Sequence, residues 1–147
     1  MSDTTTKTIH LALQGGGAHG AFTWGVLDAL LQDGRLDLAG ISGTSAGAVN
    51  AVALAHGWAQ AVADKQDPYE GARASLARVW NQVMELGAAS ESTARLTKLM
   101  MGALPGALTR FSPYPTNPLD INPLRPLIER ELAFERLHRL NSLRVFL

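Results

Sequence analysis

Apolar positions along this chain change their spacing several times, and each change marks an element. After the polar start Met1 to Lys7, the short run Ile9 to Leu13 reads as a strand. From Ala21 to Leu31 the spacing becomes helical, through Phe22, Val26, Leu27, Leu30 and Leu31. Asp33-Gly34 closes that helix, with the glycine as C-cap and the aspartate as a solvated turn residue. Leu36, Leu38 and Ile41 predict a second short strand, and the alanine-rich run Ala46 to Ala55 predicts the helix after it. Asp67-Pro68 then supplies an N-cap and a proline at the first helical position. Ala72, Leu76, Val79, Trp80, Val83 and Leu86 form one apolar stripe ending before Gly87, with Arg73, Arg78 and Glu85 on the side expected to face water.

Beyond Ser90 the pattern is less regular. Leu96, Leu99, Met100 and Leu104 fall at helical spacing, after which Pro105, Pro113, Pro115, Pro118, Pro123 and Pro126 break the chain into loops. Between Glu91 and Asp120 the charges are Arg95, Lys98 and Arg110, all basic. Two readings fit: a cover that touches anionic lipid with Phe111 and Tyr114 near the interface, or a core-packing helix with solvated basic residues. The second is the commoner fate of an apolar stripe. Asn122-Pro123 starts a final helix through Leu132, in which Pro126 removes one backbone bond or shifts the start. Leu143 to Leu147 looks like the start of another strand.

Both early strand-to-helix junctions are glycine-rich, and that is where chemistry enters. Gly43-Thr44-Ser45-Ala46-Gly47 fits a nucleophile elbow, with Ser45 on a sharp turn and small residues two positions to either side. Gly43 and Gly47 let neighbouring backbone come close, and Ala46 begins a helix whose N-terminal amides favour developing negative charge. Gly15-Gly16-Gly17-Ala18-His19-Gly20 offers more bare amides, and without Cβ atoms they are free to point at a substrate oxyanion.

The string Leu11 to Ala21, followed by Ile41 to Ala51, resembles the opening of a patatin-like phospholipase domain. Asn122-Pro123-Leu124-Arg125 and Phe134-Glu135-Arg136-Leu137 are similar to bacterial members, so the likeness runs from about Thr8 to the last residue. It implies a three-layer α/β/α fold, a domain over residues 8–147 behind a polar tail of residues 1–7, and hydrolysis of lipid acyl esters by a Ser-Asp dyad. Ser45 is then the nucleophile, and Gly15, Gly16 and Gly17 form the oxyanion hole. His19, Gly20, Gly43, Ala46 and Gly47 support them, and no cofactor is implied. The family's dyad aspartate belongs to a D-G-G or D-G-A motif downstream of the elbow, and no such motif occurs in this sequence. Asp3, Asp28, Asp37, Asp64, Asp67 and Asp120 all lack the following glycine. The expectation is therefore the N-terminal portion of a longer domain, incomplete at its C-terminus. Such a piece would have doubtful activity alone and would tend to self-associate through an unfinished sheet.

Two other functions compete with this one. A non-catalytic remnant that folds or binds lipid without turnover fits the missing aspartate. Gly15-x-Gly17-x-x-Gly20 is also a dinucleotide-binding fingerprint, which needs an acidic residue about 20 positions on at the end of the second strand. Asp37 has the spacing but precedes Leu38 and Ile41, so it sits at the wrong end. As a base for Ser45, His19 is less plausible than as a group shaping the oxyanion loop. His10, His56 and His138 have no second ligand at metal spacing, so no metal site is expected.

Composition narrows the partners. With 46% apolar and only 18% charged residues, against about 25% charged in average domains, some apolar surface is left over. Thirteen basic and thirteen acidic residues cancel, which argues against nucleic acid held by bulk electrostatics. There are no cysteines, and no apolar secretion segment follows Met1, so the expected location is cytoplasmic, with peripheral membrane contact through a lipid substrate. Leu38 to Ala63 carries no formal charge and is long enough to cross a bilayer. Its Ala and Gly content and its Asn50, His56 and Gln60 make a buried core helix the better reading.

Overall fold

Seven main elements account for most of the residues described in the computed structural model, which are 6–101, 124–132 and 143–147. In chain order they are strand β1 (Lys7–Leu13), helix α1 (Gly20–Asp33), strand β2 (Leu36–Gly43), helix α2 (Ala46–Ala63), helix α3 (Pro68–Met101), helix α4 (Leu124–Glu131) and strand β3 (Arg144–Phe146). The strands form one parallel sheet in the order β1-β2-β3. Parallel neighbours need a crossover, which α1 supplies between β1 and β2. The fold is thus α/β.

The spacing Leu36, Leu38, Ile41 does not alternate strictly, and the sheet resolves it with an irregular register. Ile9 pairs with Leu38 but His10 pairs with Gly40, so Ala39 is an extra residue on β2. This bulge-like step lets Leu38 and Ile41 both join the core despite their odd separation. Ile9, Leu11, Leu13 and Val145 pack against the same core. On the opposite face of β1, Thr8, His10 and Ala12 are exposed, and Thr8 Oγ1 donates to its cross-strand neighbour Asp37 at 3.3 Å. Of the three layers expected, the described residues show the sheet and one helical layer.

Helix α1 ends at Gly34 in the left-handed region, φ 68°, as the sequence indicated. It buries Leu27 and Leu31, one turn apart, whereas Phe22 is 76% exposed and Val26 also faces outward. The helix has two apolar stripes, and packing selects the one that continues from Gly20. Helix α2 is buried without a break from Ala51 to Trp58, which is the buried core helix that the uncharged stretch predicted.

Helix α3 begins as its signals require: Tyr69 N–H donates to Asp67 Oδ1 at 2.8 Å, and Pro68 occupies the first position. Ala72, Leu76, Val79 and Trp80 are buried. Arg78 and Glu85 are exposed, but Arg73 is drawn into ion pairs with Asp28 of α1 at 2.8 Å and Glu70 at 2.7 Å. The hydrogen bonds it donates, first to Asp28 and then to Glu70, hold its guanidinium above the ordinary arginine range. The helix does not stop before Gly87; it runs on to Met101. Among the described glycines only Gly17 and Gly34 have positive φ, so Gly87 is not a left-handed cap. An interior glycine costs a helix only about 1 kcal/mol relative to alanine, which the neighbouring helix formers outweigh.

Helix α4 starts at Leu124, two residues before Pro126. The proline therefore falls in the first turn, where amides have no intrahelical acceptor, and it costs the helix no backbone bond. Leu104, Phe111, Tyr114, Asn122, Pro123 and His138 lie outside the described residues. No described helix is long and apolar enough to cross a membrane.

Candidate active site

The two glycine turns sit at the C-terminal ends of β1 and β2, which are adjacent and parallel, so they meet. Thr44 N–H donates to the carbonyl of Leu13 at 3.3 Å, tying the residue before Ser45 to the last residue of β1. A Cβ placed on Gly15 would lie 3.1 Å from the Ser45 Cβ and 3.0 Å from the Thr44 carbonyl oxygen. The loop backbone and the elbow are thus in contact, and a side chain at 15 would push them apart.

Ser45 has φ 52° and ψ −122°, a conformation that L-residues rarely adopt. With Thr44 it turns the chain from β2 into α2 within two residues, leaving the serine exposed while Ala46 and Gly47 are buried behind it. So tight a turn brings backbone to van der Waals contact. A Cβ on Gly43 would lie 2.4 Å from the Gly47 carbonyl, and one on Gly47 would lie 2.3 Å from the Leu13 carbonyl oxygen. Small residues at 43 and 47 are a packing requirement of the elbow. Ala46 opens α2, so its N–H belongs to the first turn and is not used by the helix. Among the described residues, no side-chain hydrogen bond engages the Ser45 hydroxyl.

In the loop, Gly17 to His19 forms a single 3₁₀ turn. The Gly16 carbonyl accepts from the His19 backbone N–H at 3.1 Å and from the His19 ring Nδ1 at 3.0 Å. A carbonyl only accepts, so Nδ1 carries the proton in this contact. Because the peptide is planar and trans, holding the Gly16 carbonyl also aims the N–H of Gly17 the opposite way. His19 is joined to the loop and is not among the residues lining the cavity beside Ser45.

That cavity has a volume of about 880 Å³. Gly17, Ala18, Ala21, Ser45 and Ala46 form one side, and Val49, Trp80, Val83, Met84 and Ile128 give it apolar walls. Arg125 and Glu129 of α4 supply its charged lining and are paired with each other at 3.0 Å. Sequence reasoning placed Trp80 and Val83 in the core stripe of α3 and attached no function to Arg125, Ile128 or Glu129. Nothing in a single sequence says that α4 folds back over α3 beside the elbow.

For the dinucleotide reading, position decides. Asp37 is the second residue of β2 and Gly43 the last, so the acidic side chain is at the far end of the strand, roughly 20 Å from the glycine turns at about 3.3 Å per residue.

A nucleophile-elbow geometry against a glycine loop agrees with the family comparison, in which the profile named Patatin-like phospholipase matches residues 11–147. The chain belongs to this family. Membership carries the α/β fold and the general character of a lipid ester hydrolase with a lipid substrate. No curated protein and no solved structure matches the chain.

Proposed function

We propose that this patatin-like chain carries the nucleophile and the oxyanion-binding half of a serine lipid acyl hydrolase. The observation that carries the reading is the positive φ of Ser45, exposed at the elbow and lining an apolar cavity. Strain of this kind persists where surrounding structure holds it, and the close approach of the Gly15 backbone to Ser45 supports a role for it here. The cavity lies within the ~300–1,000 Å³ usual for ligand pockets.

In the reaction, Ser45 Oγ attacks the acyl carbonyl as its proton passes to a general base. By family resemblance that base is the aspartate of a D-G-G or D-G-A motif. The amides of Gly15 to Gly17 and the first amide of α2 receive the oxyanion. Collapse expels the alcohol, leaving an acyl-serine that water hydrolyses. His19 orients the Gly16–Gly17 peptide and takes no proton. The acyl chain lies along Val49, Trp80, Val83 and Ile128. Met84, half exposed, lines the same wall.

A fluorophosphonate probe applied to a form that contains the D-G aspartate tests this. Labelling should occur at Ser45 and vanish in Ser45→Ala, and labelling that survives the substitution excludes this serine. Residues 1–147 alone should hydrolyse a short nitrophenyl ester no faster than their own Ser45→Ala variant, for want of the base. Ser45-dependent turnover by that chain would return His19 to the role of base. Saturable NAD or FAD binding without labelling would favour the nucleotide reading instead.

A further inference from the structure

Behind the glycine loop, three helices are joined by one buried amide. Asn50 of α2 is fully buried, 0% exposed. Its Nδ2 donates to the carbonyl of Gly20 at 3.0 Å, and its Oδ1 accepts from the Trp80 indole Nε1 at 2.7 Å. The orientation of the amide is unambiguous, because an indole N–H can only donate and a carbonyl can only accept. Gly20 is the first residue of α1 and follows the 3₁₀ turn directly; Trp80 is a wall of the cavity; Asn50 lies five residues after Ser45 on the elbow helix. Contact reinforces the bonds: a Cβ on Gly20 would fall 2.6 Å from the Trp80 ring and 2.8 Å from the Ala46 Cβ.

We infer that Asn50 is a positioning residue, which locks the glycine loop to the elbow helix and seats Trp80 as the cavity wall. This rests on the proposed reading of Gly15 to Gly17 as the oxyanion loop. An apolar core residue would fill the space as well but leave a buried indole N–H and the Gly20 carbonyl without this partner. That is the circumstance in which a buried polar group confers one arrangement over others. Gly20 ends the loop on the α1 side, and Leu13 ties its other end to Thr44. With Asn50 in place, both ends of the loop are attached to the segment that carries Ser45.

Amide hydrogen exchange over residues 14–24 of the whole chain tests the inference without needing activity. In Trp80→Phe, which keeps an aromatic ring but drops the N–H together with the outer indole carbons that pack on Gly20, and in Asn50→Leu, exchange of this segment should rise about tenfold while α2 and α3 remain protected. Asn50→Asp adds a readout that a space-filling role would not move. Protonated, its carboxyl can donate to Gly20 and accept from Trp80 as the amide does; ionised, it repels the Gly20 carbonyl. Burial raises its titration toward neutral pH, so the segment should be as ordered as wild type near pH 5 and about tenfold looser near pH 8, after correction for intrinsic exchange. Arg125 and Glu129, the charged residues on the cavity that Trp80 also lines, are paired with each other and are kept unchanged. Wild-type exchange in Trp80→Phe and a pH-independent Asn50→Asp would overturn the inference. If Asn50→Leu fails to fold, those two variants still decide it. An unreactive Ser45 would sink the hydrolase reading but leave the exchange result standing.

Discussion

Replacing Ser45 with glycine should make the protein more stable while abolishing its proposed chemistry. At φ 52° and ψ −122° a Cβ is strained, and such backbone costs on the order of 1–3 kcal/mol. Glycine removes the strain but enlarges the entropy of the unfolded chain, which offsets about 0.5–1 kcal/mol. The serine is exposed and its hydroxyl has no hydrogen bond among the described residues, so losing it changes little else. The net gain is about 1 kcal/mol, or roughly 2–4 °C in melting temperature for a domain of this size. Ser45→Ala is the control, because it keeps the Cβ and its strain and should stay within about 0.5 kcal/mol of wild type. Urea and thermal unfolding of the three proteins, at matched concentration, measure the differences. A Ser45→Gly protein no more stable than Ser45→Ala would mean that the elbow is not strained, and the main support for assigning Ser45 would fall with it.

Three further outcomes are expected. Gly47→Ala sets a methyl 2.3 Å from the Leu13 carbonyl oxygen, so it should cost about 3 kcal/mol or prevent folding; a wild-type melting temperature would contradict the tight elbow. Gly16→Ala places its Cβ an ordinary 3.4 Å from the His19 Cβ, with no second heavy atom beyond its chain neighbours within 4 Å. Its stability should hold within about 0.5 kcal/mol while turnover in a catalytically competent form falls about 100-fold or more, and unchanged turnover would remove the loop from the mechanism. Hydrogen bonds from Gln82 and then Arg130 hold the Glu131 carboxyl below its ordinary value of 4.5. A depressed carboxylate stabilises the fold above its unfolded pKa and loses that contribution as pH falls through the folded value. The advantage of wild type over Glu131→Gln in urea unfolding should therefore shrink in acid, and a constant difference would show that the contact contributes nothing.

Local chemistry made much of this protein legible in its sequence. Strands at Ile9 and Leu36, the Gly34 cap, the Asp67-Pro68 start and the buried α2 each depend on neighbours a few residues away, which a linear pattern records. The elbow was legible for the same reason: Gly43, Ser45 and Gly47 meet within a single turn. The pattern failed where a local signal was ambiguous. Gly87 fits a helix stop or a tolerated interior glycine, and only the packing of α3 distinguishes them. Phe22 and Val26 share the helical period of Leu27 and Leu31, yet the stripe that is buried was selected by the layer beneath it.

Tertiary structure alone decided what surrounds the serine. The contact between Gly15 and Ser45 arises because β1 and β2 are parallel neighbours, a pairing between residues about thirty positions apart. The skipped Ala39, which brings Leu38 and Ile41 to one core, exists only in the register between strands. Asn50 reads in sequence as a stray polar residue in an alanine-rich helix; its meaning comes from Gly20 and Trp80, each thirty residues away. Sequence determines which residues can make a strained turn or fill a helix face, because those are properties of short stretches of backbone. Which of them face one another across a cavity is set by packing, where distant side chains compete for the same space.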